Sequence, residues 1–172
     1  KNELKKQGIE SDFVETKGFT RINIKLTTDT ETEINSQSSK VSAENIKEFF
    51  GTLEGLNSED TVFLSGNIIP GMESDDFVKI AEKVKQKGAK LVVDSNKDMV
   101  LNTLKYKPFI VKPNEFELGE MFGAKPNSVE DIKKYARKLQ EMGAQNVLVS
   151  RGSKGAILFT SNGDVLGANI AK

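Results

Sequence analysis

One short stretch of the sequence brings together side chains that can bind a metal ion and phosphate: Lys112, Asn114, Glu115 and Glu117. They follow an apolar run that is typical of the end of a buried parallel strand, and Pro113 stops that strand. The Asn114-x-x-Glu117 spacing places an amide oxygen and a carboxylate at neighbouring positions of a helix start. Hard oxygen ligands of this kind suit a hydrated Mg²⁺ that also touches phosphate. From spacing alone, a capped and solvated helix start is an equally good interpretation.

Polar junctions also end three other apolar runs: Ser65–Gly66, Asp94–Ser95 and Ser150–Gly155. On spacing alone the loop after Ser65 is about as easily a tight loop as a ligand site, and Asp94 either lies near a metal or only caps the next helix. The last one carries two cations, Arg151 and Lys154, which suit phosphates or a nucleotide, although it lacks the residue order of a Walker loop. Because the carboxyl ends of parallel strands meet at one sheet edge, the four junctions together predict a single cleft.

The elements that must position these residues alternate between strand and helix from Thr61 onward, which predicts a parallel, doubly wound sheet. The earlier part predicts short strands over Asp12–Lys17, Thr20–Leu26 and Thr30–Ile34, joined as antiparallel hairpins separate from that sheet. One hairpin face carries Arg21, Asn23 and Lys25. This polar face could hold an anionic small molecule, but ordinary surface-strand chemistry is the favoured interpretation without further information.

Composition narrows the class of function. The 25 basic and 25 acidic residues cancel, which argues against a dedicated nucleic-acid surface. No apolar run approaches the roughly 20 residues that span a bilayer. Since the sequence contains no histidine, acid–base chemistry must fall to carboxylates or lysines. The sequence begins in what looks like the tail of a helix and ends just after a strand, so we expect an internal piece of a longer protein.

Taken in order, several motifs resemble those of the ribokinase-like (PfkB) carbohydrate kinases, most closely the bacterial 1-phosphofructokinase and tagatose-6-phosphate kinase branch. The matching segments are Thr20–Leu26, Thr32–Asn35, Ser65–Gly66-x-x-x-Pro70–Gly71, Val93–Ser95, Lys112–Pro113–Asn114-x-x-Glu117 and Val149–Ser150-x-Gly152-x-x-Gly155. The resemblance implies an α/β, ribokinase-like three-layer fold with a mainly parallel central sheet and a small antiparallel β lid. It implies one incomplete domain over residues 1–172, with residues 12–35 in the lid.

The resemblance also implies an activity: ATP-dependent phosphorylation of a ketohexose phosphate with Mg²⁺, foremost fructose 1-phosphate to fructose 1,6-bisphosphate. Tagatose 6-phosphate and fructose 6-phosphate are alternative substrates. The substrate-binding residues implied are Arg21, Lys25, Ser65 and Gly66. Those implied for the nucleotide are Lys112, Asn114, Ser150, Gly152 and Gly155. Asn114 and Glu117 are the implied metal pair, and Asp94 is implied only as a supporting residue.

The sequence departs from the family pattern in two places. Nothing matches the Gly-Ala-Gly-Asp motif that supplies the catalytic aspartate, and the amino-terminal sugar-binding segment is absent. No catalytic residue is therefore predicted within this chain, which alone should be inactive. A non-catalytic regulator that binds a nucleotide or sugar phosphate on the same fold is the rival interpretation. The resemblance further implies a cytoplasmic homodimer formed through the lid, with sugar phosphate and ATP as partners and neither nucleic acid nor membrane.

Overall fold

The computed structural model describes residues 2–27 and 31–170. The chain forms two compact units. We call them the hairpin unit, Lys1–Glu54 with Ile68–Met72, and the sheet unit, Gly55–Asn67 with Glu73–Lys172. The single domain expected over residues 1–172 stays a prediction.

The hairpin unit contains two helices, α1 (Asn2–Lys6) and α2 (Ala43–Thr52), and two strands, β1 (Asn23–Thr27) and β2 (Glu31–Asn35). The strands pair antiparallel in a sheet of their own, with Ile24 opposite Ile34 and Lys25 opposite Glu33. The separate antiparallel hairpin predicted from the sequence is therefore confirmed. Ser42 caps α2, because its hydroxyl accepts a hydrogen bond from the backbone N–H of Asn45.

Two strand predictions in this unit are wrong in extent. Asp12–Lys17 is irregular backbone, and the strand expected from Thr20 begins only at Asn23. Alternating polar and apolar residues form a strand only where a second strand pairs with them, and the pairing of β1 starts at Asn23 opposite Asn35. The third predicted strand began at Thr30, which lies outside the described residues, and β2 runs one residue further than expected, to Asn35.

The sheet unit has six strands: β3 (Thr61–Ser65), β4 (Lys90–Asp94), β5 (Ile110–Val111), β6 (Asn146–Ser150), β7 (Ala156–Phe159) and β8 (Val165–Ala168). Its helices are α3 (Ser74–Gln86), α4 (Lys97–Thr103), α5 (Glu115–Phe122) and α6 (Val129–Glu141). Short 3₁₀ turns follow at Leu104–Tyr106 and Gly152–Lys154, and another joins the units at Leu53–Gly55. Among the described residues, no helix has the length and apolar character needed to cross a bilayer.

The strand order is β3-β4-β5-β6-β7-β8; the first four strands pair parallel, and the β6–β7 and β7–β8 pairs are antiparallel. The mixed α/β class with a mainly parallel sheet is thereby confirmed. The expectation of a doubly wound sheet is wrong for this unit, because the order never reverses. Each connecting helix instead contacts the next, from α3 through α6, so these helices form one layer.

The core lies between that helix layer and one face of the sheet. A single register row crosses five strands on this face, and every member of it is buried: Leu64, Val93, Val111, Val147 and Phe159. Helix residues such as Ile80, Val100, Leu118 and Leu139 are buried as well. The apolar run that ends at Ser65 forms β3 but is buried only in part. Because β3 is an edge strand, Phe63 is 72% exposed on the other face.

Candidate functional site

Asn114 and Glu117 form a reciprocal capping box at the start of α5. The Oδ1 atom of Asn114 accepts a hydrogen bond from the backbone N–H of Glu117 at 2.8 Å. The Oε2 atom of Glu117 accepts one from the backbone N–H of Asn114, also at 2.8 Å. The helix-cap interpretation is therefore confirmed, and it does not exclude the metal interpretation, because the cap uses only one of the two carboxylate oxygens of Glu117.

The start of α5 lies directly beside the end of β6. Asn114 and Ser150 form an isolated parallel β-bridge, and the backbone N–H of Ser150 donates to the carbonyl of Pro113 at 3.1 Å. These contacts extend the β5–β6 pairing by a few residues beyond β5 itself. Two residues that the sequence assigns to the nucleotide are thus neighbours at the carboxyl edge of the sheet.

Lys112 and Asp94 form an ion pair at the same edge. The Nζ atom of Lys112 lies 3.0 Å from Oδ1 of Asp94, and both side chains are partly exposed. The backbone N–H of Lys112 also donates to the carbonyl of Val93, which joins the ends of β4 and β5. The Asp94 carboxylate thus contacts the Lys112 ammonium, and the supporting role implied for Asp94 stays a prediction.

The loop after β3 is joined to the same edge. Ser65 pairs with Asp94 in the register, and the backbone N–H of Gly66 donates to the carbonyl of Asp94 at 3.1 Å. The hydroxyl of Ser95, which is buried, donates in turn to the carbonyl of Gly66. The four polar junctions predicted to converge do lie along one continuous edge.

The three glycines assigned to ligand binding have different surroundings. Gly66 and Gly152 adopt φ angles of 100° and 54°, and a Cβ atom added to either would meet no other atom within 4 Å. Open space in front of a backbone of this kind lets a ligand approach closely. Gly155, at φ 82°, instead packs directly against the carbonyl of Ala168 in β8. The packing of β8 therefore accounts for glycine at this position without a ligand.

Arg151, one of the two cations noted in this turn, is engaged by a carboxylate. Its Nε atom donates to Oε1 of Glu115 at 2.6 Å, with the two side chains 17% and 30% exposed. Lys154, the second cation of the turn, is exposed. This ion pair was not anticipated from the sequence, because the two residues are 36 positions apart and no local spacing connects them.

The carboxylate of Glu117 fits a hydrated magnesium ion. One of its oxygens caps the helix, and the other has no hydrogen-bond partner among the described residues. Mg²⁺ is usually held through one or two carboxylates while it keeps several waters. The Oδ1 atom of Asn114 is already an acceptor in the cap, so Glu117 is the better fit of the two. The described residues contain no cluster of three or more carboxylates that could enclose the ion.

Arg21 and Lys25 lie in the hairpin unit, on the polar side of the hairpin. The Nε atom of Arg21 donates to Oδ1 of Asn23 at 2.8 Å, while Nζ of Lys25 lies 2.7 Å from Oε1 of Glu33. The hydrogen bond from Lys25 and then that from Asn35 lower the pKa of the Glu33 carboxyl. The charge of Lys25 is therefore matched within the hairpin, whereas the terminal nitrogens of Arg21 are not used in the contact with Asn23.

Comparison with known proteins identifies the class that this fold and edge define. A family model described as pfkB family carbohydrate kinase matches residues 1–172. The chain belongs to the pfkB family of carbohydrate kinases.

Relatives of known name share much of the sequence. The chain is 44% identical over 169 residues to a 1-phosphofructokinase of Bacillus subtilis strain 168, covering 98% of this chain and 55% of the relative. It is 33% identical to a D-tagatose-1-phosphate kinase of Bacillus licheniformis, covering 99% and 56%. The chain thus spans about half the length of the curated relatives it matches.

Solved structures support the same fold. A Staphylococcus aureus chain described as a candidate phosphofructokinase matches with a TM-score of 0.76 at 39% identity, covering 91% of this chain and 51% of that one. Phosphofructokinase-2 of Escherichia coli in complex with fructose 6-phosphate matches with a TM-score of 0.85, covering 98% and 57%. At 19% identity, the second likeness concerns the fold alone.

Proposed function

We propose that this chain is part of a kinase that transfers the γ-phosphoryl group of ATP to a hydroxyl of a ketohexose phosphate, foremost fructose 1-phosphate. The observation that carries the proposal is the β-bridge between Asn114 and Ser150. It brings two separate family motifs to one sheet edge, beside Lys112 and the open backbone of Gly152. The name of the B. subtilis relative supports fructose 1-phosphate as the substrate.

The reaction forms a bond between the hydroxyl oxygen of the sugar and the γ-phosphorus, and it breaks the bond from that phosphorus to the β–γ bridging oxygen. The hydroxyl proton passes to a base, and ADP leaves. Phosphoryl transfer depends mainly on positioning and on stabilising negative charge. In this chain we assign Lys112 to the nucleotide phosphates, with Asp94 holding its ammonium, and Ser150 and Gly152 to the nucleotide itself.

Magnesium, when bound, would neutralise charge on the phosphates, and Glu117 with Asn114 would hold it. Asn114 orients Glu117 through the capping box, which fixes the carboxylate at the edge of the sheet. We assign Arg21 to the phosphate that the sugar already carries, with Ser65 and Gly66 beside the sugar. Lys25 stays a proposed substrate residue, but it should contribute less to substrate binding than Arg21, because Glu33 already neutralises its charge.

We also propose a cytoplasmic homodimer that forms through the hairpin. One face of the hairpin exposes large apolar side chains, with Ile24, Leu26 and Ile34 each about half exposed. An apolar surface of this kind favours association. If Leu26→Glu leaves the complete gene product as dimeric as the unchanged protein in light scattering, the dimer does not form through this face.

A coupled assay of ADP release by the complete gene product tests the proposed activity. The substrates are fructose 1-phosphate, fructose 6-phosphate, tagatose 6-phosphate and tagatose 1-phosphate. We expect the highest kcat/KM for fructose 1-phosphate. A preference for tagatose 1-phosphate would favour the activity named for the B. licheniformis relative. Nucleotide binding without turnover of any sugar would favour the non-catalytic regulator.

A further inference from the structure

We propose that Arg151 is a positioning residue: through its ion pair with Glu115 it holds the Ser150–Gly155 turn against the start of α5 and thereby sets the affinity for the nucleotide. The inference rests on the proposed function, which assigns both of these segments to ATP. It concerns how the segments are held together, and it gives Arg151 no direct contact with the nucleotide.

Among the described residues, three polar contacts join the start of α5 to the end of β6. The β-bridge between Asn114 and Ser150 and the hydrogen bond from Ser150 to Pro113 both end at Ser150. Of these three contacts, the ion pair of Arg151 with Glu115 is the one that reaches beyond Ser150. This ion pair is therefore the side-chain contact that links the turn itself to the start of α5.

The backbone of Arg151 is tied to both halves of the turn. Its N–H donates to the carbonyl of Gly155 at 2.8 Å, and its carbonyl accepts from the N–H of Lys154 at 3.0 Å. Gly152, which has open space in front of its backbone, is the next residue. An anchored Arg151 side chain thus fixes the first half of the turn against the start of α5, while Gly155 at the other end is held by its packing against Ala168.

The charges argue against a direct phosphate contact by Arg151. The Arg151 side chain is mostly buried, at 17% exposure, and its Nε atom already pairs with the Glu115 carboxylate at 2.6 Å. A phosphate bound by the terminal nitrogens of this guanidinium would lie close to the half-buried Glu115 carboxylate, and the two negative groups would repel each other. A positioning role, in which Arg151 does not contact the phosphates directly, avoids this repulsion.

A double-mutant cycle in the complete gene product tests the proposal. The variants are Arg151→Met, Glu115→Met and the double substitution, each of which removes charge while keeping an apolar chain of similar length. Arg137→Met is the matched control, because Arg137 is also a half-buried arginine and hydrogen-bonds Gln140 and the carbonyl of Gly163 instead. The readouts are KM for ATP, KM for fructose 1-phosphate, kcat and the melting temperature.

We expect each single substitution at the pair to raise KM for ATP about 5- to 30-fold, since small misplacements of a binding group are costly. The double variant should match the worse single variant within about 2-fold, because either change breaks the same contact. KM for the sugar should stay within about 2-fold, and the control should leave both KM values unchanged.

Several results would overturn the proposal. Fold-changes that multiply in the double variant would show that the residues act independently. A lower KM for ATP in Glu115→Met together with a higher one in Arg151→Met would show direct contact of Arg151 with the nucleotide. A KM for ATP within 2-fold of the control would show no role. If Arg151→Met does not fold, Arg151→Lys replaces it, and we expect it to raise KM for ATP about 2- to 5-fold. An unchanged KM for ATP in Arg151→Lys would also count against the proposal.

If the protein phosphorylates none of the sugars, the proposed function fails. The affinity for ADP, measured by calorimetry on the same variants, then decides the positioning role.

Discussion

The carboxylate of Glu117 and the backbone N–H of Asn114 are 2.8 Å apart, and the side chain of Asn114 returns the same contact to Glu117. This reciprocal cap makes the orientation of Glu117 a property of the helix start. Its second oxygen is left for a ligand, within the part of the chain that the structure describes. Structure and proposed function thus depend on the same two residues.

The first prediction separates the cap from the metal. Glutamine is also a capping-box residue, so Glu117→Gln should change the free energy of unfolding by less than about 0.5 kcal/mol. It removes the anionic oxygen, so turnover should fall and the Mg²⁺ requirement should rise. Titrations of activity with Mg²⁺ and urea unfolding of the complete gene product measure both effects. An unchanged Mg²⁺ titration would remove Glu117 from the site.

The second prediction concerns the phosphate of the sugar. Arg21→Ala removes a charge-assisted contact that we expect to be worth about 1.5–3 kcal/mol. This corresponds to a loss of about 10- to 150-fold in kcat/KM for the sugar phosphate. KM for ATP should move far less. The matched variant is Lys25→Ala, which should lose less because Glu33 already neutralises Lys25. Equal losses for both substrates after Arg21→Ala would indicate a folding defect.

The third prediction compares two glycines of one turn. Gly155→Ala introduces a Cβ atom against the carbonyl of Ala168 at a positive φ, so it should destabilise the fold by about 2–4 kcal/mol. Gly152→Ala meets open space, so only the φ of 54° costs energy, about 1 kcal/mol. Urea unfolding measures both. Equal destabilisation by the two variants would show that Gly155 is not a packing residue.

The fourth prediction concerns pH. Burial alone would raise the pKa of the Asp76 carboxyl, but the hydrogen bond from the Glu73 N–H and the Lys79 ammonium outweigh it, so the pKa lies below its ordinary value. A lowered carboxyl pKa stabilises the fold above the unfolded-state pKa of about 3.9, and this stability is lost as the pH falls through the folded-state value.

Asp76→Asn should therefore destabilise the protein by about 1 kcal/mol at pH 7, with the difference from the unchanged protein shrinking below about pH 4. Urea unfolding between pH 7 and pH 3 measures this difference. A difference that stays constant across the range would show that the charge of Asp76 contributes nothing to the effect.

The fifth prediction concerns these 172 residues expressed alone. No strand among the described residues pairs with the outer sides of β3 and β8, the two edge strands of the sheet, and Phe63 and Leu166 are 72% and 57% exposed. Open strand edges and exposed apolar surface promote association. We expect concentration-dependent self-association in light scattering and no measurable phosphoryl transfer. A monomeric, cooperatively melting chain with kinase activity would contradict this expectation.

Much of the fold could be predicted because its signals are local. The Ser42 cap, Pro113 after β5 and the hydrophobic periods of α3 and α6 are all readable from neighbouring residues. Features that depend on distant partners could not be predicted. Asp12–Lys17 has the alternation of a strand but no pairing, and Phe63 is exposed because β3 lies at an edge.

The candidate site divides in the same way. The convergence of Lys112, Asn114 and Ser150 follows from the geometry of parallel strands and was predicted. Two other features could not be predicted: the ion pair of Arg151 with Glu115 and the packing of Gly155 against Ala168. Both are contacts between segments far apart in the sequence, so no local spacing of residues indicates them. The roles assigned to the site residues stay predictions until the variants above are measured.

The central claim is most directly tested by identifying the product formed by the complete gene product from ATP, Mg²⁺ and fructose 1-phosphate. Phosphorus NMR of the reaction mixture resolves ADP from any new sugar phosphate ester. We predict fructose 1,6-bisphosphate in a one-to-one ratio with ADP, and no comparable product from unphosphorylated fructose. Absence of any bisphosphate, or equal turnover of unphosphorylated fructose, would contradict the account.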